Sequence, residues 1–389
     1  LVGSEMCIRD RSGAAGHQRQ SGRDFRISAR AVVLATGGCA FLSRALGTNV
    51  NTGDGALMAA EVGAHFSGME FANAYAIAPK GSTVTKTAYY GYATFYHADG
   101  RVVDGAGSTK GRSVIARTLL DEPVYAQLDR ADDTVAAQMR LGQPNFFLQF
   151  DRRGINPFTD RFEVDLLAEG TVRGTGGIDL VDFDCATGVP GLYAAGDAAT
   201  RERICGGFTG GGSHNSAWAM SSGSFAGAAA ARAALRSSRP ALADLRGAGT
   251  VALAPASGGW RPAEALTQAQ SHLIPFEKNY LRHGDRMSSA LAGLDDLWNQ
   301  LSASDFDAPD AAARLRAREV AAITAVGRWI YSSALYRTET RGMSKREDFP
   351  GQDPEQRGHV HTGGLDDVWV RRARALPRSR EFDAVGAVA

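Results

Sequence analysis

Two short, continuous apolar runs in the chain predict buried strands. The first covers residues 31–35 and the second covers residues 191–195. Apolar runs without polar alternation are typical of parallel strands, because helices cover both faces of a parallel sheet. Each run ends in a small polar turn. These turns contain Thr36, Gly37 and Gly38 after the first run, and Gly196 and Asp197 after the second.

Three further stretches have helical patterns. A helix is predicted over residues 56–62, a helix of small residues over 215–235, and several Ala/Leu/Arg-rich helices over 262–336. The tail from residue 337 is charged and irregular, and it predicts no further element. The segment that opens the first helix is polar and Gly-rich, with an acidic residue suited to a first helical turn. It consists of Thr52, Gly53, Asp54 and Gly55.

Residues 72–170 read as a domain inserted between the two predicted strands. They contain several aromatic residues and hairpin signals such as Ala98-Asp99-Gly100. The segments on either side, 25–71 and 171–235, are therefore expected to form one α/β domain around a parallel sheet. The Gly/Pro/Ser-rich residues 236–262 are interpreted as a linker to the C-terminal helices.

The two strand-end turns also suggest a ligand. In open parallel sheets, ligands bind outside the carboxyl ends of the strands, and glycine lets the backbone approach them closely. Each turn alone is explained about equally well as a tight strand-to-helix connection. Together, on both sides of an inserted domain, they favour a dinucleotide.

Composition excludes several functional classes. The formal net charge is +1, which gives no electrostatic case for nucleic acid, and no apolar run is long enough to insert directly into a membrane. Four scattered cysteines form no disulfide framework, and there is no CxxC or HExxH motif. His359 and His361 form an HxH pair that alone does not indicate a metal, so no metal site is predicted. A reducing, cytoplasmic location is expected.

The first residues need separate treatment. The opening sequence LVGSEMCIRD is similar to a translated sequencing adapter, with a native N-terminus as the alternative. Residues 1–11 are interpreted as a leader and excluded from the fold prediction. The chain also contains no GxGxxG fingerprint. We therefore expect a fragment whose natural sequence begins upstream with a strand–GxGxxG–helix unit.

The ordered motifs resemble those of a flavoprotein family that includes succinate dehydrogenase, fumarate reductase, L-aspartate oxidase and adenylylsulfate reductase. AVVLATGG at 31–38 resembles its second dinucleotide-contact strand. NTGDG at 51–55, with MEF at 69–71, resembles its TGDG…MEF segment. PGLYAAGD at 190–197 resembles its PGLYAxGE/D segment. YRTETRGM at 336–343, followed by Arg346-Glu347-Asp348, resembles its C-terminal RxESRGxHxRED signature.

The resemblance implies an α/β fold. We expect an incomplete FAD-binding Rossmann-like domain (25–71 and 171–235), an inserted α+β capping domain (72–170) and a C-terminal helical domain with the signature (262–350), followed by a tail (351–389). FAD is the implied cofactor. In the family, the counterpart of Asp197 contacts the ribityl chain of the cofactor, and the backbone N–H groups of an Asn-Ser-Leu segment face the pyrimidine end of the flavin. Here the latter positions are Asn215, Ser216 and Ala217.

The resemblance also implies a catalytic arginine. GRSVIAR at 111–117 is similar to the GRDVVAR segment, in which the first arginine delivers a proton to the substrate, so Arg112 is the expected donor. Without the motif, a helix-capping or ion-pairing role for Arg112 would be preferred. His214, in the Gly-rich loop, is a second candidate catalytic residue, with a solvated loop histidine as the alternative.

The substrate side departs from the family. Members that act on C4-dicarboxylates hold the carboxylates with two histidines and a second arginine. The corresponding segments here are APKG at 78–81, VRGTGG at 172–177 and GGSHNS at 211–216. Losing these groups removes most charge-assisted binding of a dicarboxylate. The expected substrate is therefore not a simple C4-dicarboxylate.

The resulting prediction is an FAD-dependent oxidoreductase that transfers a hydride between flavin and a substrate carbon, with an inactive fragment as the alternative for this chain alone. One alternative is an adenylylsulfate reductase-like flavoprotein, suggested by the SSGSF segment at 221–225. Another is a catalytically inactive flavin-binding subunit. No cysteine pair has iron–sulfur spacing, so a separate ferredoxin-like protein is the expected electron-transfer partner.

Overall fold

The computed structural model has an α/β core, an inserted α+β unit and a layer of C-terminal helices. It describes residues 2–8, 13–18, 21–85, 87–208, 212–237, 246–253, 255, 259–308 and 310–373. Parts of the predicted leader, Gly-rich loop, linker and tail lie outside these residues. They are residues 1 and 9–11 of the leader, residues 209–211 of the Gly-rich loop, residues 238–245, 254 and 256–258 of the linker, and residues 374–389 of the tail.

The two predicted parallel strands are present and adjacent. They pair with Val32 opposite Leu192 and Leu34 opposite Ala194. Both strands are short and contact helix α6 (Gly212–Arg236), and Leu34, Leu192 and Ala194 are buried, whereas Val33 is exposed. The pair consists of β4 (Val32–Leu34) and β11 (Leu192–Ala194).

Three strands that precede the parallel pair and one that follows it form a four-stranded antiparallel sheet. The strand over residues 2–8 belongs to it, although the sequence analysis had set this segment aside as a leader. The hairpin of this sheet is formed by residues 13–28, in which apolar and polar residues do not clearly alternate. In spatial order the sheet contains β12 (Arg246–Gly247), β1 (Val2–Ile8), β2 (Gly13–Gln18) and β3 (Arg23–Ser28).

A third sheet, here called the bridging sheet, joins three distant parts of the chain. The tail was expected to be irregular beyond residue 337, and this was wrong for residues 360–372, which form a hairpin that pairs with residues 66–67. All neighbouring strands in it are antiparallel. In spatial order they are β10 (Gly177–Ile178), β5 (Phe66–Ser67), β13 (Val360–Gly363) and β14 (Trp369–Arg372).

The inserted unit has an antiparallel sheet and a hydrophobic core of its own. Three phenylalanines share one face of a helix and are buried against this sheet. They are Phe146, Phe147 and Phe150. In spatial order the capping sheet contains β6 (Ala74–Pro79), β9 (Phe162–Gly170), β8 (Val124–Gln127) and β7 (Thr94–Tyr96). Its helices are α2 (Gly111–Asp121), α3 (Asp133–Gly142) and α4 (Pro144–Arg153).

The remaining helices pack around the parallel pair and the bridging sheet. The longest of them is buried without a break over residues 320–331, and its Trp329 stacks on Phe66 with ring centroids 4.1 Å apart. The C-terminal helices therefore share the core of the first domain. These helices are α1 (Asp54–Glu61), α5 (Glu202–Cys205), α6 (Gly212–Arg236), α7 (Pro262–Leu273), α8 (Phe276–Asn279), α9 (Gly284–Ala303) and α10 (Ala311–Tyr336). In the described part of the chain, no helix is long and apolar enough to cross a membrane.

Candidate active site

The turns after β4 and β11 meet at one small cavity of about 20 Å³. The backbone N–H of Ala195 donates to the carbonyl of Leu34 at 2.9 Å, which keeps the second turn beside the first. This edge is where ligands of parallel sheets bind. The cavity lining brings together predicted residues from distant segments. They include Gly37, Gly38, Gly53 and Asp197, with Thr171 and Gly176 from the loop after the capping sheet.

Glycine is required at several of these positions. Gly37 and Gly53 have φ values of 76° and 87°, a region that side chains rarely adopt. A Cβ on Gly53 would lie 2.9 Å from Val326 Cγ2, so the loop could not pack against α10. At Gly55, in the first turn of α1, a Cβ would lie 2.9 Å from Thr36 Cβ. Thr36 therefore packs between the strand end and the helix.

Several polar atoms near this cavity have no partner among the described residues. Thr52 Oγ1 donates to Asp54 Oδ2, whereas the other oxygen, Asp54 Oδ1, is buried and unpaired. Thr175 Oγ1, between the lining residues Thr171 and Gly176, is also buried and unpaired. Buried polar atoms normally have partners, so both atoms are free to pair with a polar ligand.

Asp197 is held by a residue that the sequence analysis did not identify. Arg201, 1% exposed, forms an ion pair with Asp197 and donates to the backbone carbonyls of Val172 and Gly174. One guanidinium thus joins the turn after β11 to the loop after the capping sheet. The spacing of four residues between Asp197 and Arg201 was the available signal.

The preceding residue, Gly196, is fixed by helix α6. Its N–H donates to Ser222 Oγ at 2.9 Å, and its carbonyl accepts from Trp218 Nε1 at 2.9 Å. Ser222 in turn donates to the carbonyl of Trp218 at 2.5 Å. The SSGSF segment at 221–225 therefore supports the strand-end turn through Ser222, which is completely buried.

The other predicted residues of this region lie in α6. His214, Ser216 and Ala217 are exposed, and Asn215 is half-buried with an unpaired Oδ1. None of the four lines the cavity between the strand ends. Their roles at the flavin or substrate stay predictions.

Arg112 lies at a second, larger cavity of about 390 Å³ between the capping sheet and the C-terminal signature. Its guanidinium is exposed and makes no hydrogen bond or ion pair with any described residue. Lys110 and Lys345 also line this cavity, and none of its described lining residues is acidic. His214 is not part of its lining. The cavity is therefore positively charged, and Arg112 is available to a ligand.

A buried charge network connects the MEF segment to the C-terminal signature. All five N–H groups of Arg337 are used. Nε and Nη2 donate to Glu70 Oε1 at 2.9 and 2.7 Å, Nη1 donates to Glu339 Oε1 at 2.8 Å, and two further bonds of 2.9 Å reach the carbonyls of Gln356 and Gly358. Such complete pairing is what burial of charge requires. The sequence motif indicated these residues but not their partners.

This network predicts a pH dependence of stability. Burial raises the pKa of Glu70 to about 7 from its ordinary value of 4.5, although Arg337 opposes the shift. Between these values the folded protein binds more protons than the unfolded chain, so this contribution to the free energy of unfolding falls as pH rises from 4.5 to about 7. Glu70→Gln, which cannot titrate, should lack this slope. Thermal unfolding of both proteins across the window measures it, and parallel curves would contradict the assignment.

Comparisons with known proteins agree with this architecture. The family model of the FAD binding domain matches residues 8–82, and that of the fumarate reductase flavoprotein C-terminus matches residues 277–374. The second match extends past residue 350, where the sequence analysis had ended the C-terminal domain, and it includes the hairpin of the bridging sheet. No curated protein matches the chain.

Solved structures share the fold. Adenylylsulfate reductase from Archaeoglobus fulgidus matches with a TM-score of 0.72 and 17% identity, over 97% of this chain and 73% of that one. Quinol fumarate reductase from E. coli matches with 0.75 and 20%, over 97% and 72%. Mycobacterium smegmatis Sdh1 matches with 0.70 and 22%, over 94% and 66%. With both family models, this shared fold makes the chain similar to flavoproteins of the fumarate reductase type, in the FAD binding domain over residues 8–82 and in the flavoprotein C-terminus over residues 277–374.

Proposed function

We propose that the protein oxidises or reduces an anionic substrate bound in the cavity beside Arg112, and that Arg112 exchanges the proton with that substrate. The observation that carries the proposal is the lining of this cavity, which combines Arg112 with Lys110 and Lys345 and contains no acidic residue. When bound, FAD supplies the hydride chemistry. The chain's own residues bind the anion, orient it and move the proton.

The start of α2 supports this role for Arg112. The helix begins at Gly111, where a Cβ would lie 2.7 Å from the carbonyl carbon of Ala106, so only glycine lets the helix start so close to the preceding loop. A cation in the first helical turn is unfavourable for the helix dipole. Capping therefore does not explain Arg112, whereas the same N-terminus favours an anionic ligand.

The opposite wall of the cavity holds a second cation in place. Lys345 Nζ donates to Ser113 Oγ at 2.5 Å, and Ser113 Oγ lies 3.1 Å from the hydroxyl of Tyr280. Lys345 belongs to the C-terminal signature and Ser113 to α2. The N–H of Met343 donates to the carbonyl of Gly207 at 2.7 Å, which ties the signature to the loop before α6. We infer that substrate binds between α2 and the signature.

The first cavity fits FAD by two features, the close backbone approach at its glycines and the unpaired oxygens of Asp54 and Thr175. We propose that segments 25–71 and 171–235 hold FAD, with 72–170 as the capping domain. The residues proposed to contact it are those predicted from the motifs. They are Thr36, Gly37, Gly38, Thr52, Gly53, Asp54, Gly55, Gly196, Asp197, Asn215, Ser216 and Ala217.

The substrate is proposed not to be a simple C4-dicarboxylate. At the positions of the family's clamping histidines, residues 78–79 lie in the buried strand β6 and Val172 is buried and apolar. Three cations remain, but none of them replaces those histidines at the same positions. An electron acceptor separate from this chain, such as an iron–sulfur protein, and a cytoplasmic location complete the proposal.

A substrate panel tests this proposal. The FAD-loaded protein should show little turnover with succinate or fumarate, because the groups that bind both carboxylates are absent. The measurement is bleaching or reoxidation of the flavin absorbance with succinate, fumarate, adenylylsulfate and other anionic compounds. Robust turnover of succinate or fumarate would contradict the substrate assignment. Turnover of adenylylsulfate would instead support the adenylylsulfate reductase-like alternative.

A further inference from the structure

A polar face of the bridging sheet lies outside both cavities described above. His65 directly precedes β5 and Asp179 directly follows β10, and the N–H of Asp179 donates to the carbonyl of His65 at 2.9 Å. His361 lies opposite Ser67 in the register of β13 and β5. Side chains directly opposite each other, or two residues apart on one strand, share a face of a sheet. His65, Asp179 and His361 therefore project from the same face.

The side-chain atoms of these three residues converge on one point. His65 Nε2 and His361 Nε2 lie 3.5 and 3.6 Å from the same carboxylate oxygen, Asp179 Oδ2. Both distances are too long for good hydrogen bonds. They match the separation of about 3.4 Å between two ligands of a tetrahedral ion with metal–ligand distances near 2.1 Å. All three ligand atoms lie within 4.8 Å of one another.

The surroundings favour an ion with an open coordination position. Asp179 and His361 line a cavity of about 370 Å³, which leaves room for water or another ligand. Around it, Glu202 accepts hydrogen bonds from Ser67 at 2.6 Å and lies 2.7 Å from His359 Nδ1. Glu202 and His359 are thus engaged with each other and do not compete for the central point.

We propose that His65, Asp179 and His361 form a binding site for a divalent transition-metal ion of the zinc type. Two imidazoles and one carboxylate suit such ions, whereas magnesium and calcium prefer oxygen ligands alone. No metal site was predicted from the sequence, because its ligands come from three segments that only the bridging sheet brings together. The competing explanation is an ion-pair cluster, since Arg203 Nη2 lies 3.8 Å from the other oxygen, Asp179 Oδ1.

Metal titration of the purified protein tests the site. After chelation, Zn²⁺ is added in competition with a chromophoric chelator, and Co²⁺ is added to record its visible absorption. We expect one ion per chain, and we expect His65→Ala, Asp179→Asn and His361→Ala each to weaken binding at least ~100-fold, more than the loss of an outer-shell partner. Zn²⁺ should also raise the melting temperature of the wild type but not of these three variants.

A matched control is His97→Ala in the capping unit. His97 also pairs with a carboxylate, Glu122, at 2.7 Å, but it has no second histidine. This variant should bind Zn²⁺ like the wild type. Asp179→Asn keeps the side-chain volume and so separates ligand loss from misfolding. Absence of Zn²⁺ binding by the wild type, or equal binding by wild type and Asp179→Asn, would overturn the proposal. Binding that depends on Asp179 but on neither histidine would overturn it in favour of a carboxylate-only site.

Discussion

Arg112→Lys should lower turnover at least ~100-fold while FAD binding stays unchanged, the loss expected when one general acid is removed. Lysine keeps the positive charge but loses the planar, multidentate donor geometry of the guanidinium. Arg112 lines the larger cavity and not the glycine-lined cavity, so the substitution should not alter the affinity of the glycine-lined cavity for FAD. Steady-state turnover and flavin titration measure these two expectations. Thermal unfolding of the FAD-loaded protein measures stability, which should stay close to wild type.

The matched control is Arg117→Lys, on the same helix. Arg117 is exposed, lies 3.3 Å from Glu347 and does not line the cavity, so its replacement should leave turnover close to wild type. A structural role for Arg112 makes the opposite prediction, with activity nearly intact and a modest loss of stability. That pattern would refute the proton-transfer assignment even if the substrate were correctly identified.

Arg337→Met should destabilise the protein by roughly 3–5 kcal/mol, the usual cost of removing one partner from a buried ion pair. Methionine has a similar length but leaves Glu70 and Glu339 facing each other without the guanidinium between them. It also leaves the carbonyls of Gln356 and Gly358 without a donor. Chemical denaturation of variant and wild type measures the difference in free energy of unfolding.

Two further variants make this result specific. Arg101→Met, which removes an exposed ion pair with Asp99, should leave stability close to wild type. Arg337→Lys keeps the charge but provides fewer donors, so we expect an intermediate loss that remains measurable if the methionine variant does not fold. If Arg337→Met unfolded like Arg101→Met, the buried network would not stabilise the protein.

Local sequence was sufficient for the elements whose signal is itself local. The apolar runs predicted β4 and β11, and the helical periodicity predicted α1, α6 and the C-terminal helices. The hairpin of β13 and β14 was missed because His361, Arg371 and Arg372 interrupt any apolar alternation. These strands exist because the backbone of residues 66–67 offers them a partner, and sequence windows contain no such information.

The candidate site also contains residues that local motifs predicted and residues that only tertiary structure reveals. Glycine motifs predicted Gly37, Gly38, Gly53 and Asp197, because their backbone requirements are local. Arg201 was missed because it joins Asp197 to the backbone carbonyls of Val172 and Gly174, which lie some thirty residues earlier in the chain. His65 and Asp179 gave no signal at all, because single polar residues next to short strands are common. Only tertiary structure shows that they face His361.

The order of the strands in the bridging sheet has a consequence for how the chain acquires its structure during synthesis. The capping sheet is built entirely from residues 74–170, so it can form as soon as that segment leaves the ribosome. The bridging sheet pairs β5 with β13, and Val360 follows Phe66 by almost 300 residues, so this pairing closes a very long loop. Until then the edge of β5 is unpaired. Early-exposed strand edges are vulnerable to aggregation, so the nascent protein should depend on chaperones until its C-terminal hairpin docks.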